Sequence, residues 1–298
     1  FTSLYTGQSF LKNLTAANGL TITGPGTGLS VSAVLMSNTL YSAAIQVKDA
    51  NGSVASQTVN FDTITPAYTW EAEDFDYSGG LSIDNPQVNQ YANQPSVEGT
   101  DYHNGDNLAQ GTALYRPKGL ETEGPGNDSP LRLQYIGTTN FDYNVGWTAG
   151  GDWGNYTRQY PAGVYNLFAR VSGGGGAKTE SADITVQNGT ATISGTGPYK
   201  FGVVGDNWNI YRFMPVTDSD GNLVTVTFDG SACTLRETQV QNADNMNFFM
   251  LMPTNVVIPS TVTITNVSPG GSALYSPAGT FSFNAYSWGA FNSNSSGY

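Results

Sequence analysis

The sequence predicts an all-β protein, and three observations carry that expectation. Charged residues make up only 11% of the 298, while glycine numbers 36 and tyrosine 17. That balance belongs to a turn-rich β chain rather than a helical enzyme. Short stretches of period-two alternation recur along the chain. Helix signals are scarce, confined to residues 37–40 and 107–115, each with room for a turn or two.

Taken in order, residues 20–23, 29–34 and 41–47 alternate as strands. Residues 49–52 (Asp-Ala-Asn-Gly) form a hairpin turn, and residues 56–61 return as the partner strand. Residues 1–66 resemble the C-terminal half of a bacterial immunoglobulin-like domain, well short of the ~100 residues of a complete sandwich. Residues 254–298, with strands at 261–267 and 279–286, resemble the N-terminal half of the same kind of domain. Each half alone exposes an apolar face and unpaired edges. Three arrangements satisfy them. The halves close on each other within one chain, they pair head-to-tail between neighbouring chains, or the chain is one repeat of a longer array. The last two build self-assembling filaments.

Between the halves, residues 84–140 form a long polar insertion, a kind of segment that is functional or packed by its own side chains. Strands at 211–216 and 223–228 flank Asp218-Ser219-Asp220-Gly221-Asn222. No glutamate follows at calcium-loop distance, so the segment reads as a hairpin turn. The single cysteine, Cys233, lies in a strand-like stretch and reads as a buried, inert thiol.

Several function classes are disfavoured. A net charge of −12 argues against nucleic acid and anionic membranes as partners. No apolar run is long enough to span a bilayer, and no signal peptide is visible. The single histidine, His103, leaves a Ser-His-Asp triad or a histidine-rich metal site without its parts. Seven Asn-x-Ser/Thr sequons, at Asn13, Asn51, Asn127, Asn155, Asn188, Asn266 and Asn294, match what so Asn-, Ser- and Thr-rich a composition produces by chance.

Residues 70–73 read Trp-Glu-Ala-Glu. In a strand, Glu71 and Glu73 point the same way. Adjacent carboxylates repel unless a cation joins them, and calcium, a hard ion with many oxygen ligands, suits the pair. Two solvated acids on an edge strand are the other reading.

The run Asn144-Val145-Gly146-Trp147, then Gly151-Asp152-Trp153-Gly154-Asn155-Tyr156, then residues 161–171, then Asn245-Met246-Asn247-Phe248-Phe249 follow the opening Glu-Ala-Glu in a telling order. Over residues 68–253 this order resembles the family 6 and family 35 carbohydrate-binding modules. The resemblance implies a jelly-roll β-sandwich for residues 67–253, with a second immunoglobulin-like sandwich built from the terminal halves. It implies a non-catalytic, extracellular or cell-surface protein that binds a polysaccharide or glycan. The family's cleft maps onto Trp147 and Trp208, sandwiching a sugar ring, with Asn245 holding its hydroxyls. The family's structural calcium maps onto Glu71, Glu73 and Asn247, where Asn247 replaces an acid and the site loses one negative charge; Asp244 is the alternative ligand. Trp153 reads as core packing. The alternative role is a structural subunit of a head-to-tail filament or adhesive fibre. A glycoside hydrolase needs a spaced carboxyl pair. The candidates are Glu71 with Glu73, or acids of the long insertion (Glu98, Asp101, Asp106, Glu121, Glu123).

Overall fold

The structure, a computed structural model, describes residues 2–3, 20–23, 29–35, 39–48, 51–62, 66–105, 115–123, 142–174, 182–202, 207–240, 244–254 and 260–267. They fall into two compact units, one drawn from 1–65 and 256–296, the other from 66–255. All described regular structure is β, and every strand pair is antiparallel.

The first unit holds β1 (Thr2–Ser3), β2 (Leu20–Thr23), β3 (Leu29–Leu35), β4 (Thr39–Lys48), β5 (Val54–Asp62) and, from the far end of the chain, β19 (Ser260–Val267). They make two three-stranded sheets, ordered β1-β4-β5 and β19-β3-β2. The β4–β5 register runs unbroken from Leu40↔Asp62 to Lys48↔Val54. Its turn includes Gly52 at φ 91°, a left-handed value that glycine adopts without a Cβ penalty. β19 pairs with β3 of the same chain, from Ser260↔Leu35 onward. Of the three arrangements open to the terminal halves, this is closure within one chain. Thr39 and Leu40 open β4 instead of forming a helical turn. Residues 37–38, 107–114 and 279–286 lie outside the described residues.

The second unit is a single curled sheet of thirteen strands. They are β6 (Tyr68–Glu71), β7 (Tyr102–His103), β8 (Thr122–Glu123), β9 (Asn144–Val145), β10 (Trp153–Gln159), β11 (Gly163–Gly173), β12 (Ala182–Asn188), β13 (Thr192–Ile193), β14 (Lys200–Phe201), β15 (Asn207–Thr217), β16 (Val226–Phe228), β17 (Ala232–Gln239) and β18 (Asp244–Pro253). The path runs β7-β10-β17-β12-β14-β15-β11-β18-β9-β8, with β6 on β18 and β16 on β11. At short β14 the sheet turns back, and its two limbs pack face to face. Tyr156, Ile184 and Leu235 of one limb share a core with Leu167, Ala169, Phe249 and Leu251 of the other. Trp70 stacks on Phe249 at 5.2 Å, and Tyr156 meets the same ring edge-on at 5.2 Å. Such offset and edge contacts suit the quadrupoles of aromatic rings.

Burial explains which strands were readable. β17 alternates buried Cys233, Leu235, Glu237 and Gln239 with half-exposed Thr234, Arg236 and Thr238, so its period of two is plain. β11 is buried on both faces from Tyr165 onward, including its polar Asn166, Arg170 and Ser172, so its burial does not follow its alternation. Cys233 is buried, and burial pushes its thiol up.

The described part of the long insertion is packed by its own polar side chains. Asp101 accepts the backbone N–H groups of Gly79, Gly80 and Val97. Arg116, only 1% exposed, donates to the carbonyls of Glu73, Phe75, Asp76 and Gln94 and to Ser96 Oγ. Its guanidinium lies 4.4 Å from the Phe75 ring centre. The acidic segment 218–222 closes on itself, as Asp218 Oδ1 accepts the N–H groups of Asp220 and Asn222. That turn joins β15 to residues that pair for only one bridge, Thr217↔Leu223, before β16 leaves for β11 and β13. The expected long hairpin is therefore a tight turn followed by a crossing.

Candidate functional site

One end of the β15-β11-β18-β9 limb gathers the residues that sequence reasoning assigned to a cleft. Asn207 pairs with Gly173, Gly173 with Asp244, Ser172 with Asn245, and Met246 with Val145. Trp208 therefore sits at the start of β15, Asn245 at the start of β18, and Trp147 just past the end of β9. Two close approaches draw these strand ends together. A Cβ on Gly174 would stand 2.3 Å from Trp208 Nε1, so the indole lies directly on the backbone that leaves β11. A Cβ on Gly146 would stand 2.5 Å from Asn245 Oδ1, so Asn245 packs beneath the chain that carries Trp147.

Trp147 is 60% exposed and holds φ 59°. A bulky side chain in the left-handed region is an outlier that surrounding structure must hold in place, and such outliers cluster at functional sites. Asn245 is buried, 1% exposed. Two residues escaped sequence reasoning here. The hydroxyls of Ser172 and Thr148 are buried and have no hydrogen-bond partner among the described residues. Nothing in the sequence marks them, because a serine in a strand and a threonine in a loop are ordinary. Deeper in the core, Glu237 accepts from Gln239 Nε2 at 2.7 Å. Burial, then the charge of Asp244, pushes the Glu237 carboxyl well above the usual carboxylate range.

At the opening strand the structure departs from the sequence argument. β6 ends at Glu71, and Ala72 and Glu73 turn away, with Asp74 N–H donating to Glu71 O at 3.2 Å. Glu71 and Glu73 are therefore not a period-two pair on one strand. Both are buried. Glu73 Oε2 has no hydrogen-bond partner among the described residues, and burial, then the Glu71 charge, pushes its carboxyl well above 4.5. Asn247 sits at a bulge: Phe248 pairs with Arg170 and Met246 with Val171, leaving Asn247 as the extra residue. Its Oδ1 accepts from Arg170 Nη1 at 2.6 Å, and its Nδ2 donates to Asp142 Oδ1 and Tyr143 O. Against a calcium ion, the two glutamates fit as hard, buried oxygen donors, and one of their oxygens is unsatisfied. Asn247 does not fit, because its oxygen already faces a guanidinium. Among the described residues no three Asp, Glu, His or Cys side chains are grouped to hold a metal.

One further expectation changes. Trp153 is not core: it stands half-exposed on the outer face of the β7-β10-β17-β12 limb, with the Arg236 guanidinium 3.5 Å from its ring centre. Asn155, although in a sequon, donates to Thr100 O and accepts from Arg236 Nε, and at 8% exposure it is buried away from any glycan. Among the described residues no helix is long and apolar enough to cross a membrane.

No family model matches the chain, and no curated protein matches it. Among solved structures, the insecticidal crystal protein Cry2Aa is similar over 45% of this chain, at 18% identity and a TM-score of 0.27. The match spans 21% of that protein's length.

Proposed function

We propose that the second unit is a non-catalytic, calcium-stabilised carbohydrate-binding module of an extracellular or cell-surface protein, and that its ligand is a polysaccharide. The observation that carries this reading is Trp147: an indole left 60% exposed, on a left-handed backbone, beside buried Asn245 and at the same sheet end as Trp208. A pyranose has an apolar C–H face that packs on an indole and hydroxyls that need an amide with both a donor and an acceptor. Trp147 supplies the first and Asn245 the second. Trp208, held on Gly174, closes the other side. Glu71 and Glu73 would hold the calcium with backbone carbonyls, and the ion's chemistry is neutralisation of two buried carboxylates. Asn247 serves instead to seat Arg170.

The test is affinity electrophoresis against a panel of soluble neutral polysaccharides. Trp147→Ala is expected to abolish retardation while leaving thermal unfolding unchanged. Release of reducing sugar from any member of the panel would replace this reading with a hydrolytic one. Retardation that survives Trp147→Ala would remove the proposed cleft.

A further inference from the structure

The outer face of the β7-β10-β17-β12 limb presents a second arrangement, on the other limb from β15, β18 and β9. Cross-strand partners share a face, so the register lays out rows of side chains. One row is His103, Trp153, Thr238, Asp183 and Lys200; the next is Asn155, Arg236 and Thr185. Arg236 is fixed from two sides. Its guanidinium lies 3.5 Å from the Trp153 ring centre, and its Nε donates to Asn155 Oδ1 at 2.9 Å. Asn155 is itself anchored by Thr100 O at 2.7 Å. The two Nη groups have no hydrogen-bond or ion-pair partner among the described residues.

A guanidinium held flat on an indole, with its terminal nitrogens unpaired, is a preorganised fork for a planar anion. The face is no platform for a neutral sugar, because one side of the Trp153 ring is covered by Arg236, and the His103 ring lies 6.1 Å away at 32°. Thr185 lies about one strand spacing, ~4.8 Å, to one side of Arg236, and Thr238 two residues along the same strand. The acids nearby are Glu98, paired with His103 Nδ1 at 2.5 Å, and Asp183, in register with Lys200. Lys200, the register partner of Asp183, adds a second positive charge to the face.

We infer that Arg236, seated on Trp153 and Asn155, is a carboxylate clamp for uronate residues of an acidic polysaccharide, at a face separate from the Trp147 end. This deepens the polysaccharide reading and rests on it for the class of polymer.

Titration calorimetry of the full chain with oligogalacturonate, its methyl ester and polyglutamate tests it. Oligogalacturonate is expected to bind, and the ester, which lacks the charge, to bind at least tenfold more weakly. Loss of one charge-assisted bidentate contact in Arg236→Gln is expected to weaken oligogalacturonate binding by about tenfold or more. Arg236→Lys, which keeps the charge but not the fork, is expected to fall between. The clamp is read with oligogalacturonate and Arg236→Gln, and the cleft with neutral polysaccharide and Trp147→Ala, so failure of the cleft and failure of the clamp read out separately. Equal affinity for acid and ester, wild-type affinity in Arg236→Gln, or polyglutamate binding as tight as oligogalacturonate would each overturn the inference.

Discussion

Two buried polar regions of the second unit behave differently. Beneath the opening strand, Arg116 meets four carbonyls, a hydroxyl and an aromatic face, and Arg158 donates to Asp74 O and stands 3.6 Å from Asp76. At the end that carries Trp147, the Ser172 and Thr148 hydroxyls are buried with no partner among the described residues, and an indole is left in solvent on a strained backbone. The first region spends most of its polar groups on holding the chain, although Arg158 Nε and Glu73 Oε2 have no partner among the described residues. The second leaves two hydroxyls unspent beside an exposed indole, which is what recognition of a polar ligand requires.

The largest effect that tests this contrast is Arg116→Met. It leaves several buried carbonyls without donors and is expected to lower stability by about 3–5 kcal/mol, read as a lower urea midpoint. Survival of the wild-type midpoint would show that the knot is not what holds the insertion.

Gly146→Ala comes next. The added methyl meets Asn245 Oδ1 at 2.5 Å, so the amide or the loop must shift. A stability loss of about 1–3 kcal/mol is expected, together with loss of polysaccharide retardation. Unaltered retardation would detach Asn245 from the cleft.

The opening acids predict a pH dependence. Asp74 is pushed up to about 6 from 3.8 by burial, and Glu73 well above 4.5 by burial and the Glu71 charge. Both bind protons more tightly folded than unfolded, so unfolding releases protons. Stability is then fully present below about pH 4 and falls as pH rises through about 6 and beyond. Excess calcium favours the charged form of Glu73 and is expected to flatten its share of this slope, as is Glu73→Gln without calcium. A melting temperature indifferent to calcium at pH 7 would remove the ion from Glu71 and Glu73.

The smallest effect has the opposite sign. Trp147→Gly relieves φ 59° and is expected to raise stability by up to about 1 kcal/mol while abolishing retention. A fall in stability would mean that the indole is packing rather than waiting for ligand.

The readable features were those with a local signature. β17 and the β4–β5 hairpin alternate, and the turn at Gly52 is written in Asn-Gly. The Trp147, Trp208 and Asn245 set was legible only as an ordered set of short motifs, and the structure places all three at one sheet end. The one-face geometry expected of Glu71 and Glu73 failed because period two assumes an uninterrupted strand, and Asn247, assigned by resemblance, sits at a bulge where it meets Arg170. A turn after Glu71 and a bulge at Asn247 each break that period, and neither has a glycine or proline to announce it. Trp153 was misjudged because an aromatic beside a Gly-Asp turn reads as core, and its partner Arg236 lies 83 positions along the chain.

Composition and alternation by themselves determined that the regular structure of the described residues is β, because side-chain period and turn chemistry are local properties that need no partner. Only the tertiary structure decided which terminal strand meets β3, which acids lose their water, and which guanidinium rests on which ring. Those outcomes depend on contacts between residues distant in sequence, and burial and charge coupling exist only once the limbs of the sheet have closed.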